Sequence, residues 1–206
     1  FQSLSLICGY SFFNKRLLPE QPLLCPIGRL DKDTSGLILI AKNKYAAQQL
    51  ERQRANHTLS RVYLALAEGH WTNQSKSGLI DRPIEKVPEC FNRYQVADTG
   101  RPSRTEYEVL SEFTYEETPF SLVRLKLQTG RTHQIRVHMA SLSHPLLGDS
   151  IYGHEGFLGF DRAALHSFEI TCQLPGHQDL AVFSSEMPED FQKMIAKSIN
   201  FSSTLI

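Results

Sequence analysis

Gly28-Arg29-Leu30-Asp31-Lys32-Asp33-Thr34-Ser35-Gly36, followed at once by Leu37-Ile38-Leu39-Ile40-Ala41, is the stretch from which the rest of the chain is read. A short apolar run after a glycine reads as a strand buried on both faces, so the residues before it form a loop tied to the interior. Asp31 stands two residues after an arginine in that loop, ahead of a Thr-Ser-Gly closure. Two readings are open: a carboxylate placed for covalent or proton chemistry, and a loop aspartate that caps backbone N–H groups. Calcium fails on spacing. Asp31, Asp33, Ser35 and Gly36 imitate the first half of an EF-hand loop, but its twelfth position, a bidentate Glu, is Lys42 here.

Downstream, Asn43 is an N-cap for a helix from Lys44 to about Arg54, with Tyr45, Ala46, Ala47 and Leu50 as its apolar stripe. Arg61 to Ala67 is β-branched and aromatic enough for a strand, which Gly69 ends. Strand, helix, strand sets Asp31 at one end of a strand and Tyr63 early in the next. Tyr63 alone reads either as a core tyrosine or as an acid/base group. Upstream, Leu4, Leu6, Ile7, Phe12 and Phe13 suggest a short helix, and Pro19, Pro22 and Pro26 force a turning path into the loop.

Residues 70–100 are polar, punctuated by Gly78, Pro83, Pro88 and Gly100, with one short strand from Leu79 to Ile84. Thr105 to Leu110 and Ser121 to Leu127 alternate, predicting an antiparallel pair half open to solvent. Thr129-Gly130-Arg131 breaks the second and starts a helix from Thr132 to about Leu142, with Ile135, Met139 and Leu142 on one face and His133, Arg136 and Ala140 on a neighbouring one. His144 to Asp149 makes a turn, Ala163 to Thr171 a strand, and Pro188 to Ile195 a helix with proline at its start.

Bulk properties exclude several classes of function. The 206 residues suit one domain with a shared core, and 41% hydrophobic with 21% charged residues excludes a fibrous or disordered chain. Lys plus Arg and Asp plus Glu are both 22, so there is no global basic field, and a nucleic-acid partner must be met by a local patch. One candidate patch is clear: from Thr118 to Gly148 there is no Asp or Glu, while Arg124, Lys126, Arg131 and Arg136 are present. At a strand-to-helix junction this suits a phosphate backbone, or it is a solvated face beside an ordinary capping turn. His133 and His138 are five apart, the wrong spacing for a metal pair on one helical face. Cys8, Cys25, Cys90 and Cys172 form no C-x-x-C pair and are expected as reduced, mostly buried thiols. No run approaches the roughly 18 apolar residues of a membrane span.

The combination of motifs decides among these readings. Gly-Arg-Leu-Asp-Lys-Asp-Thr-Ser-Gly-Leu at 28–37, Arg-Val-Tyr-Leu-Ala at 61–65, and Thr-Gly-Arg-Thr-His-Gln-Ile-Arg-Val-His with His-Pro-Leu-Leu-Gly-Asp within 129–149 closely resemble the RluA family of RNA pseudouridine synthases. The resemblance runs from about residue 24 to residue 191, and Gly148-Asp149-x-x-Tyr152-Gly153 and Leu165-His166 fall where the family has similar signals. Two features depart from it. Family members usually carry His at the position of Gly28, and most have an earlier Lys-Pro-containing strand not found here, so residues 1–206 are expected to form a single catalytic domain lacking part of its native N-terminus.

The resemblance implies an α+β fold, a mixed and mainly antiparallel β-sheet flanked by helices, with a central catalytic cleft. It implies an enzyme that isomerises uridines in structured RNA, ribosomal or transfer, to pseudouridine. Asp31 would attack C1′ or remove the 2′ proton, with Arg136 as its counter-ion and Tyr63 as the group that takes the C5 proton. Arg29 would fill the space of a flipped nucleotide, Leu30 and Ile135 would pack on the uracil pocket, and Arg131 and His133 would hold flanking phosphates. No metal or organic cofactor is implied, and a cytoplasmic monomer is expected. Two rivals stand beside it: an RNA-binding module of the same fold without activity, and a hydrolase using Asp31 and Asp33 as a pair.

Overall fold

The computed structural model describes residues 24–204; the helix expected around residues 4–13 lies outside them. In chain order the elements are β1 (Cys25–Pro26), β2 (Ser35–Gly36), β3 (Ile40–Ala41), α1 (Lys44–Ala55), β4 (Ser60–Glu68), β5 (Ser77–Asp81), β6 (Ile84–Lys86), β7 (Tyr94–Val96), β8 (Arg104–Tyr115), β9 (Thr118–Leu127), α2 (Gln134–Ser141), β10 (Leu165–Gln173), β11 (Leu180–Ser184) and α3 (Glu189–Thr204). The main sheet runs β11-β10-β4-β9-β8-β5, with antiparallel neighbours throughout, and β2 adds to β10 in parallel. This is the expected α+β class.

β4 is the spine of the sheet. Val62 through Ala67 are all buried, because the strand is central and covered on both faces. Tyr63, Ala65 and Ala67 point one way into a cluster with Val123, Leu125, and Ile135 and Met139 of α2. Leu64 and Leu66 point the other way, against Phe120, Leu122, and Phe191 and Met194 of α3. The period of two thus assigns Tyr63 to the α2 side, and truncating fully buried Leu66 to alanine would cost about 2–5 kcal/mol.

The run from Leu37 to Ala41 is not the expected doubly buried strand. Its ladder is split between two partners: Gly36 pairs with Ser167 of β10 and Leu37 N–H donates to the Ser167 carbonyl at 2.9 Å, whereas Ile40 and Ala41 pair with β1. Leu37, Ile38 and Leu39 are half-buried as the chain crosses from one sheet to the other. The expected strand from Leu79 to Ile84 also divides, since Pro83 separates β5 from β6, which pairs with β7 in a small hairpin. β8 and β9 pair antiparallel as predicted, but β8 runs on to Tyr115, and Phe120 to Val123 of β9 are all buried, so β9 is not half open to solvent.

Asn43 caps α1 as expected, its side chain accepting from Ala46 N–H at 2.8 Å, and Leu50 is buried. Tyr45 does not join the stripe; it is 60% exposed. Helix α2 begins at Gln134, two residues later than expected, because His133 has left-handed backbone (φ 55°). Among the described cysteines, none forms a disulfide; Cys172 is buried, Cys25 half-buried and Cys90 exposed, so buried thiols are not the rule. No described helix is long and apolar enough to cross a membrane.

Candidate active site

Ser167 of β10 is the junction that builds the site. It lies opposite Tyr63 in the β4–β10 ladder, beside a register shift between Ser167 and Glu169, and its other edge receives β2. Gly36 makes that approach possible: its φ is +98°, and a Cβ there would stand 2.2 Å from the Ser167 carbonyl oxygen. Further ties hold the loop. Ser35 Oγ lies 2.8 Å from His166 Nδ1, whose Nε2 meets Ser185 Oγ at 2.8 Å, and Thr34 N–H donates to the Asp31 carbonyl at 3.1 Å. Asp33 takes the left-handed position of the turn (φ 71°), and Arg162, paired with Asp190, donates to its carbonyl at 3.3 Å. Asp33 thus serves the loop through its backbone.

A cavity of about 120 Å³ lies against this loop. Asp31, Tyr63, Arg29, Leu30, Arg131 and Ile135 all line it, so six of the eight residues singled out in the sequence converge from three separated motifs. Leu30 packs on the cluster that contains Tyr63 and Ile135, which makes one wall apolar. Tyr63 is 4% exposed. Burial raises the pKa of its phenol above the ordinary 10.0, and the Arg61 guanidinium beside the hydroxyl opposes that shift. The resting form is therefore the neutral phenol.

The other two residues stand apart from the cavity, and the expected pairing of Arg136 with Asp31 is not formed. Arg136 closes its guanidinium on Asp149, with Nε donating to Oδ2 at 2.7 Å and Nη2 to Oδ1 at 2.6 Å. Asp149 is fully buried and also accepts from Ile151 and Tyr152 N–H. Burial opposes the charge on Arg136, and the Asp149 carboxylate more than offsets it, so the guanidinium stays protonated; Asp31 adds a smaller push in the same direction. A half-buried loop carboxylate could not compete with a fully buried one aimed at both donors.

Tyr152 completes this second group. Its ring lies 5.1 Å from the Arg136 guanidinium carbon, and its hydroxyl accepts from Tyr94 N–H and meets His133 Nδ1, both at 2.9 Å. Burial raises the Tyr152 pKa to about 12, and burial lowers that of His133 against the opposing pull of Asp31. The Tyr152 phenol therefore keeps its proton, and the imidazole is neutral at neutral pH. His133 can offer a phosphate an N–H donor but no charge.

Two of the other three charges in the sequence-level patch are also answered by the fold. Arg124 faces Glu108 at 3.8 Å and Lys126 faces Glu106 at 3.9 Å, across the β8–β9 ladder. The cations around the cavity are instead Arg29, Arg54, Arg61 and Arg131, drawn from three distant segments. Gln134 fixes the turn that carries Arg131: its Oε1 accepts from Thr129 Oγ1 and Arg131 N–H, and its Nε2 donates to Arg104 O and Thr105 Oγ1. Arg61, Gln134, Asp149, Tyr152 and Ser167 were not among the residues first singled out. For Asp149 and Tyr152 the signal was present in the 148–153 motif; for Ser167 there was none.

The fold and site together define a class, and similarity to known proteins agrees with it. Residues 8–141 match the family model described as RNA pseudouridylate synthase, and the chain belongs to that family. It is 37% identical over 186 residues to ribosomal large subunit pseudouridine synthase D of Nitrosomonas europaea, covering 86% of this chain and 52% of that one. It is 40% identical over 168 residues to an uncharacterized RNA pseudouridine synthase of Bacillus subtilis, covering 82% and 54%. The chain thus spans about half the length of these curated relatives. The solved structure of human RNA pseudouridylate synthase domain containing 1 matches with a TM-score of 0.69 at 30% identity, over 84% of this chain and 71% of that one.

Proposed function

We propose that this chain is the catalytic domain of an RNA pseudouridine synthase that acts on ribosomal RNA, a cytoplasmic monomer needing no metal or organic cofactor. The observation that carries the reading is the single cavity in which Asp31, Tyr63 and a set of arginines meet from remote parts of the chain. Ribosomal RNA is favoured over transfer RNA by the name of the Nitrosomonas relative.

In this reading the target uridine leaves its stack and enters the cavity, as chemistry on a base inside folded RNA requires. Arg29, exposed at the loop, fills the space it leaves, and uracil lies between Leu30 and Ile135. Asp31 attacks C1′ and is later displaced, or removes the 2′ proton and later returns it; the N1–C1′ bond breaks, the uracil turns, and C5 bonds to C1′. Tyr63 then takes the C5 proton as its phenolate, having given up its own proton to balance the one that N1 gains, and the Arg61 guanidinium beside its hydroxyl stabilises that form. Arg136 keeps Tyr152 and His133 in place next to the cavity, and its charge reaches Asp31 without a direct bond. Arg131 and the His133 N–H face the flanking backbone.

Release of tritium from RNA carrying 5-³H-uridine tests the reading. An inactive RNA-binding module shifts RNA mobility and releases nothing, and a hydrolase yields free base. Mapping pseudouridines in ribosomal and transfer RNA, with and without the gene, identifies the substrate.

A further inference from the structure

The charge of the cavity does not balance. Among the described residues, four arginines and one carboxylate, Asp31, line it. Arg54 is held by Glu51 at 2.6 Å, but among the described residues Arg29, Arg61 and Arg131 take part in no ion pair. Arg29 and Arg131 are exposed, while Arg61 is half-buried. Lacking a counter-charge costs most for a cation withdrawn from water.

The place of Arg61 is specific. It lies two residues before Tyr63 on β4, so both side chains leave the same face of the strand. Its guanidinium lies beside the Tyr63 hydroxyl and occupies room left by two glycines. A Cβ on Gly28 would stand 3.4 Å from Nη1, and one on Gly130 would stand 2.8 Å from Nη2. A second cavity, of about 260 Å³, opens beyond it toward His57 and Gln128. Arg54, Arg61, Gly130 and Arg131 border both cavities, so Arg61 stands at the passage between the uridine pocket and an open groove.

We propose that Arg61 is a phosphate-binding residue, which holds the phosphodiester next to the target uridine where the RNA strand passes from the pocket into the groove. This rests on the reading of the cavity that Asp31 and Tyr63 line as a uridine pocket. A guanidinium carries five N–H donors in a fixed fork, enough for the Tyr63 oxygen on one edge and a phosphate oxygen on the other. RNA supplies an anion at each nucleotide step, which answers the missing counter-charge. Arg61 then ties the position of the backbone to that of Tyr63.

The test is the salt dependence of binding to a short fluorescein-labelled oligouridylate, read by anisotropy. Arg61→Gln is expected to weaken binding about tenfold at low salt and to lower the slope of log affinity against log salt by about 0.7, the value for one single-strand phosphate contact. Arg61→Lys restores the slope, since a lysine neutralises a phosphate as a point charge. Gly130→Ala keeps the arginine but puts a Cβ against its Nη2; Gly130 has no left-handed backbone, so the flexible guanidinium is what yields. It should reproduce the Arg61→Gln slope, and the double variant should fall no further. An unchanged slope in Arg61→Gln, or slope losses that add in the double variant, overturns the proposal. If Arg61→Gln does not fold, Gly130→Ala decides alone: a wild-type slope overturns the proposal and a slope lowered by about 0.7 upholds it. Tritium release from uridine-labelled RNA reports the pocket assignment separately, since a synthase could be active with this slope unchanged.

Discussion

Two groups of charged residues flank the same cavity and are built in opposite ways. On the α2 side, Arg136 is bidentate on buried Asp149 and braced by Tyr152 and His133, so every charge is answered from within. On the loop side, Arg29, Arg61 and Arg131 surround Asp31 with no ion pair among the described residues. A cation paired from within orders its neighbours and has less charge to offer a ligand. An unsaturated one at a cavity mouth stores binding energy for an anion that arrives from outside. The sequence shows an arginine in either case; only the partner tells them apart.

The largest effect should come from the loop side. Asp31→Asn is expected to lower turnover at least about 10³-fold in a single-turnover tritium-release assay, with the melting temperature nearly unchanged. Asp33→Asn should keep most of the activity, and equal losses in the two variants would break the assignment of Asp31 as the reacting carboxylate.

On the α2 side the expected effect is on stability. Asp149→Ala leaves a buried guanidinium unpaired and should cost about 3–5 kcal/mol in urea unfolding. Arg136→Lys should also destabilise, because one ammonium cannot reproduce two parallel bonds to Asp149. If Asp149→Ala were neutral in stability but inactive, the contrast between the two groups would fail.

Arg131→Ala supplies the complementary measurement. Its side chain is exposed and makes a single long contact, Nε to the Pro102 carbonyl at 3.3 Å, so the stability change should stay within about 0.5 kcal/mol. RNA affinity should fall several-fold, with a shallower salt slope.

The smallest effect is a pH dependence of stability. Burial lowers the pKa of His138 and of His166 below the ordinary 6.5. His138 is fully buried, with its Nε2 on the Arg82 carbonyl and its Nδ1 on the Thr105 hydroxyl. Because the folded pKa is the lower one, the unfolded chain binds protons first on acidification. Stability is therefore full above about pH 6.5 and declines as pH falls through the folded values. A melting temperature that stays flat from neutral pH to about 5 would contradict this, and His166→Asn should flatten the profile in part.

Much of the fold was legible because local rules and tertiary packing agree at particular residues. Asn43 caps α1, alternation marks β8 and β9, and the apolar face Ile135–Met139 seats α2 on β4. Leu37 to Ala41 misled because composition reports burial but not which strand supplies the ladder; here the run is shared between β10 and β1. β11 escaped notice because Leu180, Val182 and Phe183 are exposed on an edge strand, where no alternation need show. At the site, Asp31, Tyr63 and the lining residues were recognisable as motifs. Arg61 carried no mark of its own beyond its place before Tyr63.

The sequence by itself determined which chemical groups are present and in which motifs: a carboxylate in a Thr-Ser-Gly loop, a tyrosine in a buried strand, and arginines at the turn before α2. Helical and strand periods, caps and turn residues act over a few positions, so they can be read along the chain. The tertiary structure alone decided charge pairing. Arg136 went to Asp149 and Arg124 and Lys126 to the carboxylates of β8, leaving Arg61 and Arg131 without an ion pair among the described residues at the cavity. Ion pairing falls off with distance in space and with exposure to water, neither of which is a function of separation along the chain.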